Sequence, residues 1–199
     1  MKFHSMAAAA VLTVSAFGAQ AVETYSTGFG AAASTSQTLS AAAIGTFAAG
    51  AFVNGNTTDS TIVLGAAGDA IARMNLGSYL TLSFNLLAPA SQITASFFAS
   101  SSNGTSAGTA NVSIDNGTVQ SQAITALNVV NPGPTGTFIS RIFTGSFAAG
   151  LHTLRIDNEP TSGFRVDDVS VTAVPEPGTY AMLLAGLAAV GFVAKRRSA

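Results

Sequence analysis

The chain contains, at residues 79–86, the stretch YLTLSFNL. Apolar side chains occupy every second position in it, namely Leu80, Leu82, Phe84 and Leu86. Successive side chains of a β-strand point to opposite faces, so this alternation predicts a strand with one buried face and one face toward solvent. The stretch therefore sets the fold class, and the rest of the chain is compared with it below.

Other short segments share this alternation and are bounded by Gly, Pro or Asn turns. The pattern predicts strands at Thr61–Leu64, Ile93–Ala99, Thr137–Ser146, Leu151–Ile156 and Phe164–Val174. In Thr137–Ser146 it leaves open whether Phe138 and Ile142, or Ile139 and Phe143, face the core. No segment between residues 22 and 174 keeps a helical period. The predicted fold is all-β, an antiparallel two-sheet β-sandwich of the jelly-roll kind.

One hairpin can be placed from sequence alone. Asn116–Gly117 lies between two short alternating runs, and Asn-Gly is a preferred pair for a two-residue hairpin turn. Such a turn would place Ile114 opposite Val119. Both apolar side chains would then face the core together.

Composition narrows the classes of function. The chain has 199 residues and no cysteine, which excludes disulfides, thiolate metal sites and cysteine nucleophiles. Residues 22–174 hold eight acidic residues and four arginines, a formal charge of −4. Without a basic patch, nucleic acid is not expected as a partner.

The N-terminus is typical of a secretory signal peptide at residues 1–21. A short basic start precedes an apolar run, and Ala19 and Ala21 form an A-x-A cleavage site. The mature chain would begin at Val22. Residues 22–174 would then form the exported domain.

The C-terminal segment 175–199 has three parts in fixed order. Pro175, Glu176 and Pro177 form a stiff acidic tripeptide, which we expect to be extended and accessible. An uncharged apolar run at residues 179–194 predicts a short transmembrane helix. A basic cluster follows and would stay on the cytoplasmic side, formed by Lys195, Arg196 and Arg197.

These three parts together resemble a PEP-CTERM sorting signal. The resemblance implies an exported protein of a Gram-negative bacterium that makes exopolysaccharide. It further implies recognition and cleavage near the tripeptide by a membrane-embedded exosortase, followed by transfer to the cell surface, outer envelope or extracellular matrix. An ordinary membrane anchor with a proline-rich stem is the alternative.

A second, pattern-level resemblance covers the segment from Val112 to Val171. Its strand order, with AGLHTLRI at residues 149–156 and an Asp-containing last strand, is similar to galactose-binding-like jelly rolls, which include carbohydrate-binding modules. The resemblance implies a structural Ca²⁺ near the terminal strands, with Glu23 and Asp168 as candidate ligands. Alternatively, the acids of the last strand cap turns or pair with Arg165 or Arg155.

Catalytic candidates are few. Ser106 lies in a G-x-S-x-G sequence, and Asp115 and His152 follow in the order that a hydrolase triad would need. The sequence around Ser106 does not predict the required strand-to-helix elbow, so we do not expect an enzyme. Exposed aromatic residues, which glycan recognition favours, are also scarce, since residues 22–174 contain no Trp.

The sequence thus favours an exported, non-catalytic structural or adhesive protein of the cell surface or the exopolysaccharide matrix of a biofilm. A non-catalytic carbohydrate-binding module is the first alternative. A serine hydrolase is the second.

Overall fold

The computed structural model describes residues 22–29, 45–54, 61–64, 70–74, 77–102, 108–129, 132–133, 135–158 and 163–176, and positions 186, 188, 190–191 and 195–196. Within these residues, eleven strands form two antiparallel sheets in one compact unit, Ala21–Glu176. The predicted all-β, two-sheet sandwich is confirmed. The described positions beyond residue 185 are helical.

The first sheet contains six strands, in the order β3-β4-β11-β6-β9, with β1 pairing to β11. The strands are β1 (Glu23–Thr27), β3 (Thr61–Leu64), β4 (Ala70–Met74), β6 (Ala90–Ser101), β9 (Thr137–Phe147) and β11 (Phe164–Pro175). Both ends of the sandwich unit therefore lie in this sheet, next to each other: Glu23 is opposite Ala173 in the β1–β11 register.

The second sheet contains five strands, in the order β2-β5-β10-β7-β8. They are β2 (Ala49–Asn54), β5 (Ser78–Leu86), β7 (Gly108–Ile114), β8 (Gln120–Ile124) and β10 (Gly150–Asn158). β5, the strand that contains the opening stretch, is central and pairs with both β2 and β10. Its burial alternates with the sequence, as predicted.

The inward faces of the two sheets form a single hydrophobic core. Phe84 is completely buried, and its ring lies 5.3 Å from that of Tyr25 and 6.5 Å from that of Phe47. On the facing sheet, Phe97 and Ile93 of β6 are also completely buried. Sheets packed face to face bury alternate residues of every strand, which is why period-two patterns could be identified in sequence.

β9 resolves the choice that the sequence left open. Ile139 and Phe143 face the core, whereas Phe138 and Ile142 are 55% and 53% exposed. Phe138 instead packs against Phe98, directly opposite on β6, with 5.2 Å between ring centroids.

Side chains cover the two neighbouring edge strands, β8 and β9. Gln120 and Gln122 of β8 donate through Nε2 to the main-chain oxygens of Ile142 and Phe138, at 2.7 and 3.1 Å. Arg141 of β9 donates in return to the Ser121 oxygen at 2.8 Å. Bonded carbonyl groups of this kind cannot pair with another chain, so the edges are protected against association.

The hairpin turn lies one residue earlier than predicted. Asp115 and Asn116 have φ values of 51° and 55°, and the Gly117 N–H donates to the Ile114 oxygen at 2.8 Å. Two successive positive φ angles closed by this bond define a type I′ turn.

The strands of the hairpin also pair in a register different from the predicted one. Val112 pairs with Gln120, so the predicted pairing of Ile114 with Val119 is wrong. A one-residue slip moves a side chain to the other face. Ile114 is buried, as expected, but Val119 is 56% exposed.

Candidate functional site

The end of β11 joins the sandwich to the C-terminal segment, and we call Pro175 and Glu176 the junction. β11 passes a register shift after Val174, and Pro175 then lies opposite Ala90 of β6 and is buried. Proline has no N–H to donate to a ladder, and it is tolerated at such irregular positions. The first residue of the tripeptide is thus part of the sheet.

Glu176 is bonded to the sandwich through two of its groups. Its N–H donates to the Pro89 oxygen in the β5–β6 loop at 3.0 Å. Its Oε1 accepts a hydrogen bond from Ser146 Oγ of β9 at 3.1 Å. Pro175 is extended, as expected, but Pro175 is buried and Glu176 half-buried, so the expectation of an accessible segment is wrong for these two residues, because strand pairing continues to Pro175.

Most of the other predicted residues of the tail are not among the residues that the structure describes. Pro177 and Arg197 lie outside the described residues, as do Ala19 and Ala21 of the predicted cleavage site. Lys195 and Arg196 are helical and exposed. The predicted transmembrane segment 179–194 lies mostly outside the described residues, and no helix in the part that is described has the length and hydrophobicity to span a membrane.

Glu23, at the start of β1, binds the same loop through other groups. Its carboxylate accepts hydrogen bonds from the Leu87 N–H at 3.0 Å and the Ala88 N–H at 3.2 Å. Tyr25 Oη lies 2.6 Å from Glu23 Oε2 and 2.6 Å from the Asn85 oxygen. Burial raises the pKa of Glu23, but the bonds from Tyr25, Leu87 and Ala88 outweigh it and lower the pKa overall. Burial and the adjacent carboxylate raise the pKa of Tyr25.

The structure does not bring Glu23 and Asp168 together. Glu23 is opposite Ala173, whereas Val169, next to Asp168, is opposite Thr27 at the far end of β1. Asp168 is exposed, has a φ of 49°, and sits in the register shift of β11. In the described part of the chain, no three His, Asp or Glu side chains lie close enough together to hold a metal.

Asp115 and His152, two of the three hydrolase candidates, do pair. His152 Nδ1 lies 2.7 Å from Asp115 Oδ2, and the other Asp115 oxygen accepts the Thr153 N–H at 2.8 Å. His152 Nε2, however, lies 2.7 Å from the Ala148 oxygen. Both ring nitrogens thus face acceptors, an arrangement that only the protonated imidazole satisfies fully.

The surroundings of His152 fix its ring within the fold. Burial lowers the pKa of His152, but the bonds to Ala148 and Asp115 and the charge of Asp115 raise it overall. The buried ring also stacks on Phe84, 5.8 Å away. A general base needs a free nitrogen directed at its nucleophile, and here neither nitrogen is free. Ser106 lies outside the described residues.

An open cleft of about 250 Å³ lies on the outer face of the five-stranded sheet. It is bounded by β7, β10 and the hairpin turn, and most of its lining is polar: Asn111, Ser113, Asn116, Arg155 and Asp157. The register explains the grouping, since Arg155 is opposite Ser113 and Asp157 is opposite Asn111. Residues that pair across neighbouring strands share a face.

An aromatic ring supports the charged part of this cleft. Arg155 Nη2 donates to Asp157 Oδ2 at 2.6 Å, and the Arg155 guanidinium carbon lies 3.6 Å from the centroid of the Tyr79 ring. A cation stacked at this distance is attracted by the ring and is held in place. No feature of the sequence was predicted to form this cleft. The alternation in β5 and β10 does identify which of their side chains point outward. Which of these side chains lie next to each other, however, depends on the register between the strands.

Comparisons with known proteins bear on the tail and on the fold separately. The family model of the PEP-CTERM protein-sorting motif matches residues 173–197, so the predicted sorting motif is confirmed. The motif is the recognition signal of exosortases and indicates an exported protein that is processed at the membrane. No curated protein sequence gives a significant match.

Solved structures similar to the sandwich include carbohydrate-binding modules. A family 35 module from Clostridium thermocellum matches 61% of this chain and 90% of its own, with 15% identity and a TM-score of 0.41. The family 35 module of Abf62 from Cellvibrio japonicus matches 64% and 99%, with 13% identity and a TM-score of 0.44.

A catalytic protein is similar over a small part of its length. The family GH115 glucuronidase BtGH115A matches over 60% of this chain, with 15% identity and a TM-score of 0.45. This chain spans only 17% of that enzyme. Likenesses at this level describe the fold and say nothing about what this chain binds or does.

Proposed function

We propose that this protein is an exported, non-catalytic structural or adhesive component of the cell surface or of an exopolysaccharide matrix, delivered there by an exosortase. The PEP-CTERM motif at residues 173–197, which begins within the last three residues of β11, carries the proposal. A domain that precedes such a motif is the part that is exported.

The proposed route uses both ends of the chain. Residues 1–21 direct export and are removed after Ala21, and residues 179–194 hold the chain in the inner membrane of a Gram-negative cell. Lys195, Arg196 and Arg197 remain in the cytoplasm by the positive-inside rule. The exosortase then acts near the tripeptide, and the sandwich continues to the outer envelope, the surface or the matrix.

A non-catalytic role for the sandwich is supported by the state of His152. Its two nitrogens are occupied by Asp115 and Ala148, at 2.7 Å each. A hydrolase would have to break one of these bonds and lose the charge that Asp115 stabilises. The covered edges of β8 and β9 fit a protein that remains folded and separate outside the cell.

A second candidate function, carbohydrate binding, is favoured by the cleft on the five-stranded sheet. Its amide, hydroxyl, guanidinium and carboxylate groups match the hydroxyl groups of a sugar. Because Arg155 already occupies one face of Tyr79, a sugar there would be bound mainly through hydrogen bonds rather than by stacking. A charged glycan could further pair with Arg155.

The sorting proposal is tested by replacing Pro175, Glu176 and Pro177 with Ala in a host that has an exosortase. Membrane insertion depends on the apolar run and the basic cluster, so it should be retained. The variant should accumulate as an uncleaved membrane form, measured by its mass and by membrane, surface and medium fractions. Equal processing of wild type and variant would show an ordinary anchor.

A deletion of Lys195–Arg197 provides the comparison variant. It removes the orientation signal but leaves the tripeptide intact, so we expect mixed orientation rather than uniform trapping. Protease accessibility from the two sides of the membrane distinguishes these defects.

The carbohydrate proposal is tested on a glycan array with the exported domain, residues 22–176. Arg155→Ala should weaken any glycan signal about tenfold or more, because it removes a charged donor and leaves Asp157 without the bond that orders it. Arg73→Ala, an exposed arginine on the other sheet, is the matched control and should bind as wild type does. Absence of any glycan signal for wild type would leave the structural role as the function.

A further inference from the structure

We infer that the folded sandwich holds the first two residues of the sorting tripeptide and must release them before the exosortase can process the chain. Ser146 acts as a positioning residue for Glu176. This inference rests on the proposed sorting function and adds a step to it: the end of β11 separates from β6 and β9 before processing.

The first argument concerns what an enzyme must contact. Enzymes and receptors that recognise an extended peptide use its main-chain groups for affinity and its side chains for specificity. In the sandwich, the Glu176 N–H is bonded to the Pro89 oxygen, and its carboxylate is bonded to Ser146. Pro175 is buried against β6. The sandwich and the enzyme therefore compete for the same groups.

The second argument concerns how far the strand must open. The register shift between Val174 and Pro175 interrupts the β6–β11 ladder just before the junction. Ala173, two residues before Pro175, is buried in the core and pairs with both Ile93 and Glu23. Separation that begins at Glu176 can thus stop at Ala173 without exposing the core. Strand ends of this kind open at much lower cost than the whole domain.

The third argument concerns the strength of the attachment. The Ser146 bond to Glu176 is formed by a neutral hydroxyl at 3.1 Å, and Ser146 is exposed. Such a bond stabilises the docked state by a modest amount, so a binding enzyme can displace it. The junction is held firmly enough to be ordered and weakly enough to be released.

The inference predicts the effect of a single hydroxyl group. Ser146→Ala should increase the rate of processing about two- to tenfold, the change expected from losing one modest hydrogen bond. Ser146→Thr restores the hydroxyl on a β-favouring residue and should restore the wild-type rate. The melting temperature should not differ measurably among the three proteins, which separates this effect from a general loss of stability.

A disulfide across β6 and β11 tests the release directly, because the natural chain has no cysteine. Gln92 lies opposite Val174, so Gln92→Cys with Val174→Cys would lock the strand next to the junction. The disulfide prevents Val174 from separating, and an enzyme that binds the tripeptide as an extended chain needs the residue before it free as well. We therefore expect processing to fall at least tenfold in the oxidised protein and to recover on reduction.

The matched control places the same lock further from the junction. Thr94 lies opposite Thr172, so Thr94→Cys with Thr172→Cys fixes the strand but leaves residues 173–176 able to separate. This variant should be processed at close to the wild-type rate.

The rates are measured by pulse-chase on the full chain in a host with an exosortase, with mass as the readout. Unchanged processing in the Gln92–Val174 lock, or a slower rate for Ser146→Ala, would overturn the release step. Equal slowing by both locks would also overturn it, because the effect would then not be local. If the tripeptide-to-Ala variant is trapped while neither lock has an effect, only this inference fails. If that variant is processed normally, the sorting proposal fails.

Discussion

Glu23 and Glu176, at the two ends of the sandwich, both bind one loop, Leu87–Pro89, in different ways. The Glu23 carboxylate is bonded to two main-chain N–H groups and lies 2.6 Å from the Tyr25 hydroxyl. The Glu176 carboxylate accepts one bond, from Ser146. The pKa of Glu23 is lowered because its hydrogen bonds together outweigh the opposing effect of burial.

The difference indicates that the start of the domain is fixed and its end is releasable. A carboxylate with several donors, two of them from the main chain, holds its strand in one position. A carboxylate with one hydroxyl donor can exchange it for another partner at little cost. This asymmetry fits a domain whose last strand continues into a sorting motif, because that end has to be transferred to an enzyme.

The largest expected effect comes from the core below both ends. Phe84 is completely buried and contacts the ring of Tyr25, whose hydroxyl approaches Glu23. Phe84→Ala should reduce the free energy of unfolding by about 3–5 kcal/mol, a large share of a typical domain's stability. Urea unfolding of residues 22–176 measures it. A nearly neutral result would contradict the core described here, while Phe138→Ala, exposed on β9, serves as the tolerant control.

The two carboxylates themselves provide the next comparison. Glu23→Ala leaves the Leu87 and Ala88 N–H groups without their acceptor and should cost about 1–2 kcal/mol, because these groups are partly reached by water. Glu176→Ala should change the free energy of unfolding by less than about 0.5 kcal/mol. Equal costs for the two variants would remove the distinction between a fixed and a releasable end.

The pH dependence of stability should reflect Glu23 and His152 in opposite directions. The folded-state pKa of His152 lies above its usual 6.5, so its contribution is complete below that pH and is lost as pH rises through the folded value. The folded-state pKa of Glu23 lies below its usual 4.5, so its contribution is complete above that pH and is lost as pH falls. Both contributions are complete between about pH 4.5 and about pH 6.5, so stability should be greatest in that range.

Asp115→Asn isolates the histidine part of this curve. It removes the charge that favours the protonated ring, so the pKa of His152 should fall. Wild type should lose stability as the pH rises from about 6.5 through the raised folded-state pKa of His152, and the variant should lose less over the same interval. Identical slopes would mean that the pair does not stabilise the imidazolium. Titration of the His152 ring by NMR gives the pKa directly, since His152 is the only histidine in residues 22–176.

Much of the fold could be predicted because it depends on local alternation. Leu80, Leu82 and Phe84 follow a period of two, and the structure buries them completely. The predicted turn between β7 and β8 was wrong because a contact with a distant strand determines where the turn lies. The Asp115 carboxylate is bonded to Thr153 and His152 on β10, which favours a turn centred on Asp115–Asn116 over the predicted one.

The candidate sites also differ in whether a local stretch of sequence or the pairing of distant strands forms them. The sorting motif is contiguous, so sequence alone revealed it, but its attachment to Ser146 and Pro89 depends on the pairing of β11 with β6. The cleft combines Tyr79, Asn111 and Arg155 from three strands, and no local pattern relates them. The pairing of Asp115 with His152 also required the register of β10 with β7.

The smallest expected effect concerns calcium, for which Glu23 and Asp168 were the candidate ligands. Calcium needs six to eight oxygen ligands, and the β1–β11 register places these two residues at opposite ends of β1. A calcium ion at Glu23 would also have to displace the Leu87 and Ala88 N–H groups, which already stabilise the carboxylate. We therefore expect millimolar Ca²⁺ to leave the melting temperature of residues 22–176 unchanged.

A ligand that binds only the folded state raises the melting temperature. A rise that Asp168→Asn abolishes and Glu23→Gln does not would therefore reveal a calcium site built around Asp168 alone. A rise abolished by either variant would require the two carboxylates to share a site, and the fixed position of Glu23 described here would then be wrong.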